Sequence, residues 1–419
     1  MKRAVAVLLC AMLATGGITS CQSKKSETAS SSSVKDTKET TENKTDKSDE
    51  TKEDETSKAE VKESEQTEKE NQDSESTEKT EEETKAEADS EDSEMQDDLT
   101  MEKLRENGGT VDYTSLDGIE LEPGSHIAVV VKSTKNGFWT SIKSGMDAAV
   151  KDLNEKLGYK GDDKIKLSFE GPSDETDVDT QINIIDAVLG ENPSVLCLSA
   201  IDMDSCQAQL EAAEENGIPV VVLDSGVKSG TVNATCVVDN YQAGAEAAVK
   251  LADAIGGSGK IAVMAHVESA QNCQERQQGF TDTIAEKYPD IEIVNISHQN
   301  EETSVSEMAE SVLKLFPDVK GYFCTNENMA GAVLDAIDAS GKEVAVVGFD
   351  AGKKQKDAIK SEKEVGVLVQ NAYGMGYATV VAAARAALGM ENDETINPGF
   401  EWIDSENISD ERYANYLYD

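Results

Sequence analysis

The feature that most constrains this chain is residues 321–350, GYFCTNENMAGAVLDAIDASGKEVAVVGFD. Two short apolar runs, Gly321–Thr325 and Val344–Phe349, each stop abruptly at a polar side chain, Asn326 and Asp350, and a helix-period stretch, Met329–Ser340, lies between them. Apolar runs of this length bounded by turn signals read as strands buried on both faces, and such strands alternating with helices build a parallel α/β sheet. In open sheets of that kind ligands bind at the carboxyl ends of the strands, which is where Asn326 and Asp350 fall.

The same alternation runs through the rest of the chain after Gly124. Strands are expected at His126–Lys132, Lys164–Phe169, Val195–Ser199, Val220–Leu223, Thr235–Val238, Lys260–Met264, Ile291–Ile296, Gly321–Thr325, Val344–Phe349 and Val365–Val369. Amphipathic stretches of helical length, such as Phe138–Leu157 and Tyr241–Ile255, separate most of them. The pattern is doubly wound α/β, repeated in two halves that meet near Asp239. A globular region of about 300 residues starting near Ile119 is long for a single core, so two lobes are expected.

Upstream the chain is different material. Lys2 and Arg3, the apolar run Ala4–Thr15 and Gly17-Ile18-Thr19-Ser20-Cys21 have the layout of a secretory leader covering residues 1–20. The apolar part is too short for a bilayer core of about 30 Å. Ile-Thr-Ser-Cys resembles the bacterial lipobox, so Cys21 is expected to be lipidated and to begin the mature chain; the plain alternative is cleavage near Ser20. From Gln22 to about Gly108 there is no Phe, Trp, Tyr or Pro, and about 30 carboxylates face about 14 cations. Such a segment cannot bury enough apolar surface to offset its ordering entropy. Residues 21–118 are therefore expected to be a disordered acidic spacer, with at most a helical turn at Leu99–Leu104. A flexible chain of that length reaches about 50 Å, enough to carry a domain through a thick wall, which points to the surface of a Gram-positive cell.

The formal net charge of −44 argues against a nucleic-acid surface, since phosphate binding needs clustered Lys and Arg. Beyond Cys10 and Cys21 five cysteines remain, an odd number without CxxC spacing, which fits neither a disulfide framework nor a zinc site. Cys197 and Cys324 fall inside strand runs, and one bridge among Cys206, Cys236 and Cys273 stays open. There is no HExxH, GxSxG or GxxxxGKS/T motif, and the three histidines, His126, His266 and His298, belong to no arrangement that pairs them with a Ser or Cys nucleophile; a lone His is more often structural or solvated. Neither a catalytic role nor a metal or cofactor is expected.

Several strands end in side chains suited to one kind of target. Asp224 follows Val-Val-Val-Leu, Asn326 follows Tyr-Phe-Cys-Thr, Asp350 follows Val-Gly-Phe and Gln370 follows Val-Leu-Val, while Asn136-Gly137-Phe138-Trp139 follows the first strand. Carboxylates and amides accept and donate in the planar geometry that vicinal hydroxyls require, and aromatic faces cover the C–H faces of a sugar ring. Arg276 adds a rigid five-donor fork. Each residue taken alone has a blander reading, since Asp or Asn after a strand commonly caps a helix or forms a turn.

These residues, together with Ile218-Pro219-Val220-Val221-Val222-Leu223-Asp224, Val238-Asp239-Asn240, Glu275-Arg276, Gly279-Phe280, Asn326-Glu327-Asn328-Met329-Ala330 and Val347-Gly348-Phe349-Asp350, resemble the type I periplasmic sugar-binding proteins, most closely the ribose-binding group. The resemblance runs from about Ser125 to Asp404. It implies two doubly wound lobes joined by three crossings, near Val238–Asp239, Asn371 and Pro398–Trp402. Residues 119–238 with 371–397 would form the first lobe, and 239–370 with 398–419 the second. It also implies that Asn136, Phe138, Trp139, Asp224, Arg276, Asn326, Asp350 and Gln370 contact a ligand. Two positions depart from the pattern. Ser225 stands where the ribose binders have Arg, and the loop at Glu301–Glu302 lacks the aromatic that sugar binders supply there. With Glu302 at the pocket, these departures suggest a different pentose or hexose, or a ligand carrying an amine.

The function so implied is that of a lipid-anchored extracytoplasmic binding protein of an ABC importer: a monomer closing on a small sugar and presenting it to permease subunits. A sensor feeding a membrane receptor or kinase, or a surface display protein, would use the same features. Alanine at Asp350 or Arg276 is expected to abolish binding and leave the fold nearly intact.

Overall fold

Runs of Val, Ile, Leu and Ala only four to eight residues long can satisfy their backbone groups and bury both faces only as interior strands of a sheet. A computed structural model describes residues 99–228 and 230–418; the leader, Cys21 and the acidic stretch up to residue 98 lie outside the described residues. All ten expected strands are present. In the first lobe these are β1 (His126–Val130), β2 (Lys166–Glu170), β3 (Val195–Leu198), β4 (Val220–Leu223) and β5 (Ala234–Cys236). In the second they are β6 (Gly259–Ala265), β7 (Ile291–His298), β8 (Val319–Cys324), β9 (Ala345–Phe349) and β10 (Gly366–Gln370). Two further short strands, β11 (Thr395–Ile396) and β12 (Phe400–Asp404), were not anticipated. β11 is too short to leave a pattern, and β12 falls in the stretch read as a crossing.

The strands form two sheets, ordered β11-β5-β4-β3-β1-β2 and β12-β10-β9-β8-β6-β7. Every pairing is parallel except β12 against β10. In each sheet the first strand of the lobe lies between the second and third, so the winding reverses there and opens a crevice at the carboxyl ends. Helices α2 (Gly137–Leu157) and α10 (Ala372–Ala387) cover one face of the first sheet, and α3 (Val178–Gly190) and α4 (Gln207–Glu215) the other. On the second sheet, α5 (Asn240–Ala254) and α6 (Gln271–Lys287) lie opposite α7 (Val305–Leu315) and α8 (Glu327–Ser340), with α9 (Lys353–Lys360) beyond. The contact between α5 and α6 depends on glycine: a Cβ at Gly279 would stand 1.9 Å from the carbonyl of Tyr241.

The chain passes between the two sheets three times, at residues 237–239, at Asn371 and at residues 397–399. Asn371 ties two of these passages together, because its Nδ2 donates to the carbonyl of Pro398 at 3.0 Å. The same amide donates at 2.8 Å to the carbonyl of Thr100, which brings in a segment expected to be spacer.

The boundary at residue 118 is corrected by the structure. Residues 99–107 are helical, α1, and the chain from there is part of the folded body. Leu104 and Tyr113 are each 1% exposed and belong to the core of the first lobe, while Leu99 packs against Val367, Val369 and Ile403 of the second. Asp393 accepts hydrogen bonds from the backbone N–H groups of Thr110 and Val111, and its own N–H donates to the Tyr113 hydroxyl. The surrounding charges conceal these apolar anchors in the sequence.

Candidate functional site

Two aspartates mark corresponding places in the lobes. Asp224 directly follows β4 and Asp350 directly follows β9, and both have left-handed backbone, with φ of 58° and 67°. Asp and Asn tolerate that region better than other side chains with a Cβ. The bend lifts each carboxylate off its strand end into the crevice. Asp224 Oδ2 receives Lys132 Nζ at 3.0 Å and the Ser199 hydroxyl at 3.1 Å, and its Oδ1 receives Asn272 Nδ2 from the other lobe at 3.2 Å. Asp350 accepts from Gln370 Nε2 at 2.9 Å. Burial pushes the Asp350 carboxyl up to about 6, opposed by the Arg276 guanidinium and the Gln370 amide.

Asn136 and Asn326 are helix caps and also face the crevice. Their Oδ1 atoms accept from the backbone N–H groups of Trp139, at 3.1 Å, and Met329, at 3.0 Å, satisfying the first turns of α2 and α8. That leaves each Nδ2 free to donate elsewhere, and both donate to Glu175, Asn136 at 3.2 Å and Asn326 at 3.4 Å. The Trp139 indole N–H joins them at 3.0 Å. Glu175 lies in the loop after β2, so it collects two residues of its own lobe and one of the opposite lobe.

Arg276 sits on α6 and is 1% exposed. Its guanidinium lies 3.5 Å above the Phe349 ring, Nε donates to Asn240 at 2.8 Å, and Nη1 donates to the Thr325 carbonyl at 2.8 Å. Only Nη2 has no partner. The expectation that alanine at this position leaves the fold nearly intact is therefore revised: the fork holds the carboxyl end of β8 to α5. His266, after β6, is enclosed beside it, between the Thr325 hydroxyl at 2.7 Å and Asn272 Oδ1 at 2.9 Å. Burial holds its pKa well below the usual value, with Lys132 and Arg276 adding to the effect, so the imidazole is neutral.

All eight residues expected to contact a ligand line one crevice between the lobes: Asn136, Phe138, Trp139, Asp224, Arg276, Asn326, Asp350 and Gln370. The space is small, about 30 Å³. The linings from the two lobes touch through Lys132–Asn272, Asp224–Asn272 and Glu175–Asn326. Phe138 and Trp139 are also core residues of the first lobe, packed edge to face at 5.0 Å between ring centroids.

Sequence reasoning missed Lys132, Glu175, His266, Asn272, Glu327 and Asn328, which complete the lining. Lys132 and His266 were legible as polar residues closing strand runs; Glu175 and Asn272 carry no local signal. The loop at Glu301–Glu302 is exposed and is no part of the lining, so the pocket acids come from Glu175 and Glu327 instead. Cys206, Cys236 and Cys273, like Cys197 and Cys324, are buried free thiols, and the bridge left open in the sequence is not formed. Among the described residues no group of His, Cys, Asp and Glu is arranged to hold a metal ion.

The sequence matches the periplasmic binding protein domain over residues 127–391. The chain belongs to this family. Among relatives of this periplasmic binding protein, the ribose import binding protein of Bacillus subtilis is 26% identical over 272 residues, covering 65% of this chain and 84% of the relative. The D-apiose import binding protein of Actinobacillus succinogenes is 28% identical over 236 residues, 56% of this chain and 72% of the relative. Among solved structures, an ABC transporter solute-binding protein of Agrobacterium vitis with bound D-fucose is 28% identical, with a TM-score of 0.65, covering 70% of this chain and 100% of that one. The carbohydrate transporter solute-binding protein of Agrobacterium radiobacter in complex with D-arabinose is 26% identical, with a TM-score of 0.64, covering 70% and 98%.

Proposed function

We propose that this chain captures a monosaccharide-sized sugar between its two lobes as the extracytoplasmic binding component of an ABC importer, held at the membrane by lipid on Cys21. The observation that carries the reading is the convergence of Asn136, Phe138, Trp139 and Asp224 from one lobe with Arg276, Asn326, Asp350 and Gln370 from the other on one crevice. Relatives and structural neighbours named for ribose, D-apiose, D-arabinose and D-fucose support the ligand class. The leader and the Ile-Thr-Ser-Cys motif support the anchor.

The mechanism is closure about the three passages at residues 237–239, 371 and 397–399. Sugar hydroxyls supply acceptors to Arg276 Nη2 and donors to Gln370 Oε1, both buried and without a protein partner. These two contacts come from the second lobe; Asn136, Phe138, Trp139 and Asp224 of the first lobe reach the same sugar only when the lobes close, so binding favours the closed form by its differential affinity. Permease subunits would then read the closed pair of lobes.

A thermal-shift screen against D-ribose, D-arabinose, D-fucose and related monosaccharides tests the reading. A sugar at one hundred times its dissociation constant adds about 2.7 kcal/mol of stability. No shift with any monosaccharide would refute it. Loss of uptake of labelled sugar on deletion of the gene separates transport from sensing, and release of the chain from membranes by Cys21→Ala checks the anchor.

A further inference from the structure

We propose that the ligand of this cleft carries a primary amine, held as an ammonium among Glu175, Glu327, Asp350 and Gln370. This rests on the monosaccharide reading and narrows its class.

Four carboxylates line the crevice, Glu175, Asp224, Glu327 and Asp350, against two cations, Lys132 and Arg276. The cations are largely committed. Lys132 Nζ is held by Asp224 at 3.0 Å and by Asn272 Oδ1 at 3.3 Å, so that lysine and Asp224 neutralise each other. Arg276 has spent Nε and Nη1 on Asn240 and Thr325. Its partners there are neutral, so Arg276 keeps its charge and the two N–H donors of Nη2, and one cation faces three carboxylates, of which Glu175 already accepts from Asn136, Trp139 and Asn326.

Apart from Arg276 Nη2, the buried unpartnered atoms of the lining are acceptors. Glu327 Oε2 is buried without a partner. Gln370 is 2% exposed, gives its Nε2 to Asp350, and leaves Oε1 without a partner. Burial raises the Glu327 carboxyl, with the charges of Asp350 and Glu175 adding to the effect and Lys356 of α9 offsetting part of it; burial likewise raises Asp350, opposed by Arg276 and the Gln370 amide. Such a wall asks for several donors and a positive charge at one point. A hydroxyl brings one donor, no charge, and lone pairs of its own; an ammonium brings three donors and the charge. A uronate or sugar phosphate would add a fourth negative group with little more than Arg276 Nη2 to receive it, so acidic sugars are disfavoured by the same inventory.

The test is isothermal titration of the full chain with matched pairs: D-glucosamine against D-glucose, D-galactosamine against D-galactose, 1-amino-1-deoxy-D-sorbitol against D-sorbitol, and the N-acetyl form of each amino sugar. At least one amine is expected to bind ten-fold or more tightly than both its hydroxyl parent and its N-acetyl form. Glu327→Gln, nearly isosteric, is expected to collapse that ratio toward one, with its melting temperature confirming the fold. Equal or tighter binding of the neutral parents overturns the amine and leaves the sugar cleft standing. An amine preference that Glu327→Gln does not reduce also overturns the assignment. Failure of every amine and every neutral sugar to bind overturns both readings.

Discussion

Replacing Arg276 by alanine should cost this protein its ligand and part of its stability together, and the size of the second effect follows from the contacts. The substitution leaves Asn240 Oδ1 and the Thr325 carbonyl without the donors that now stand 2.8 Å away, in a site that is 1% exposed. A buried polar group left unsatisfied costs about 1–3 kcal/mol. It also removes the cation stacked on Phe349 and strips Asp350 of the charge that opposes the effect of burial. Arg276 and Asp350 make no direct contact, and protonation of Asp350 relieves the loss of the cation, so the two orphaned acceptors set most of the total, about 3–5 kcal/mol. For a protein of this size each kcal/mol moves the melting temperature by roughly 2–4 °C, so Arg276→Ala should melt roughly 10 °C lower. Differential scanning calorimetry of the ligand-free chain reads this directly, beside Asp350→Asn as the comparison. A ligand-free Arg276→Ala variant melting within 1 °C of its parent would show that the fork does not tie β8 to α5, and the structural half of its role would be withdrawn.

Three further outcomes are expected. Asp350→Asn keeps a side chain that tolerates the left-handed backbone at φ 67°, so its melting temperature should stay within about 3 °C of the parent while sugar affinity, measured by titration, falls at least 100-fold; Asp350→Ala adds backbone strain of about 1 kcal/mol. Burial pushes Glu364 up to about 8 from 4.5, so its contribution is fully present below about pH 4.5 and is lost as pH rises through 8, amounting to about 3–5 kcal/mol. Glu364→Gln should flatten that stretch of the stability curve in denaturant titrations between pH 5 and 8, and an unchanged slope would contradict the assignment. Leu104→Ala opens a hole under α1 in the first-lobe core and should cost about 2–4 kcal/mol by denaturant unfolding; a neutral result would return residues 99–107 to the spacer.

The interior strands were readable because a strand buried on both faces has to be apolar at every position, which leaves a continuous run with sharp ends. Asp224 and Asp350 were readable for the same reason, as the polar residues where such runs stop. What escaped depends on long-range placement. Glu175 sits in a polar loop, Ser173-Asp174-Glu175-Thr176-Asp177, and nothing local distinguishes it from its neighbours until Asn136, Trp139 and Asn326 meet it. Lys132 reads as the last residue of a strand, and only the fold aims it at Asp224. Of α1 only a turn at Leu99–Leu104 was legible, because a few apolar residues in a strongly acidic stretch do not outweigh composition. They are nevertheless enough once Asn371 and two preformed lobes provide somewhere to dock.

The position of α1 also decides how the folded body hangs from whatever precedes it. Leu104 is seated on one lobe and Leu99 on the other, the Thr100 carbonyl is held by Asn371, and Lys103 reaches Glu401 at 2.8 Å. A pull transmitted through the preceding chain therefore enters beside the axis about which the lobes turn. Force applied at a pivot has almost no lever arm. With the anchoring and closure proposed above, tension that reaches residue 99 would exert little torque on closure, leaving the balance of open and closed lobes indifferent to load.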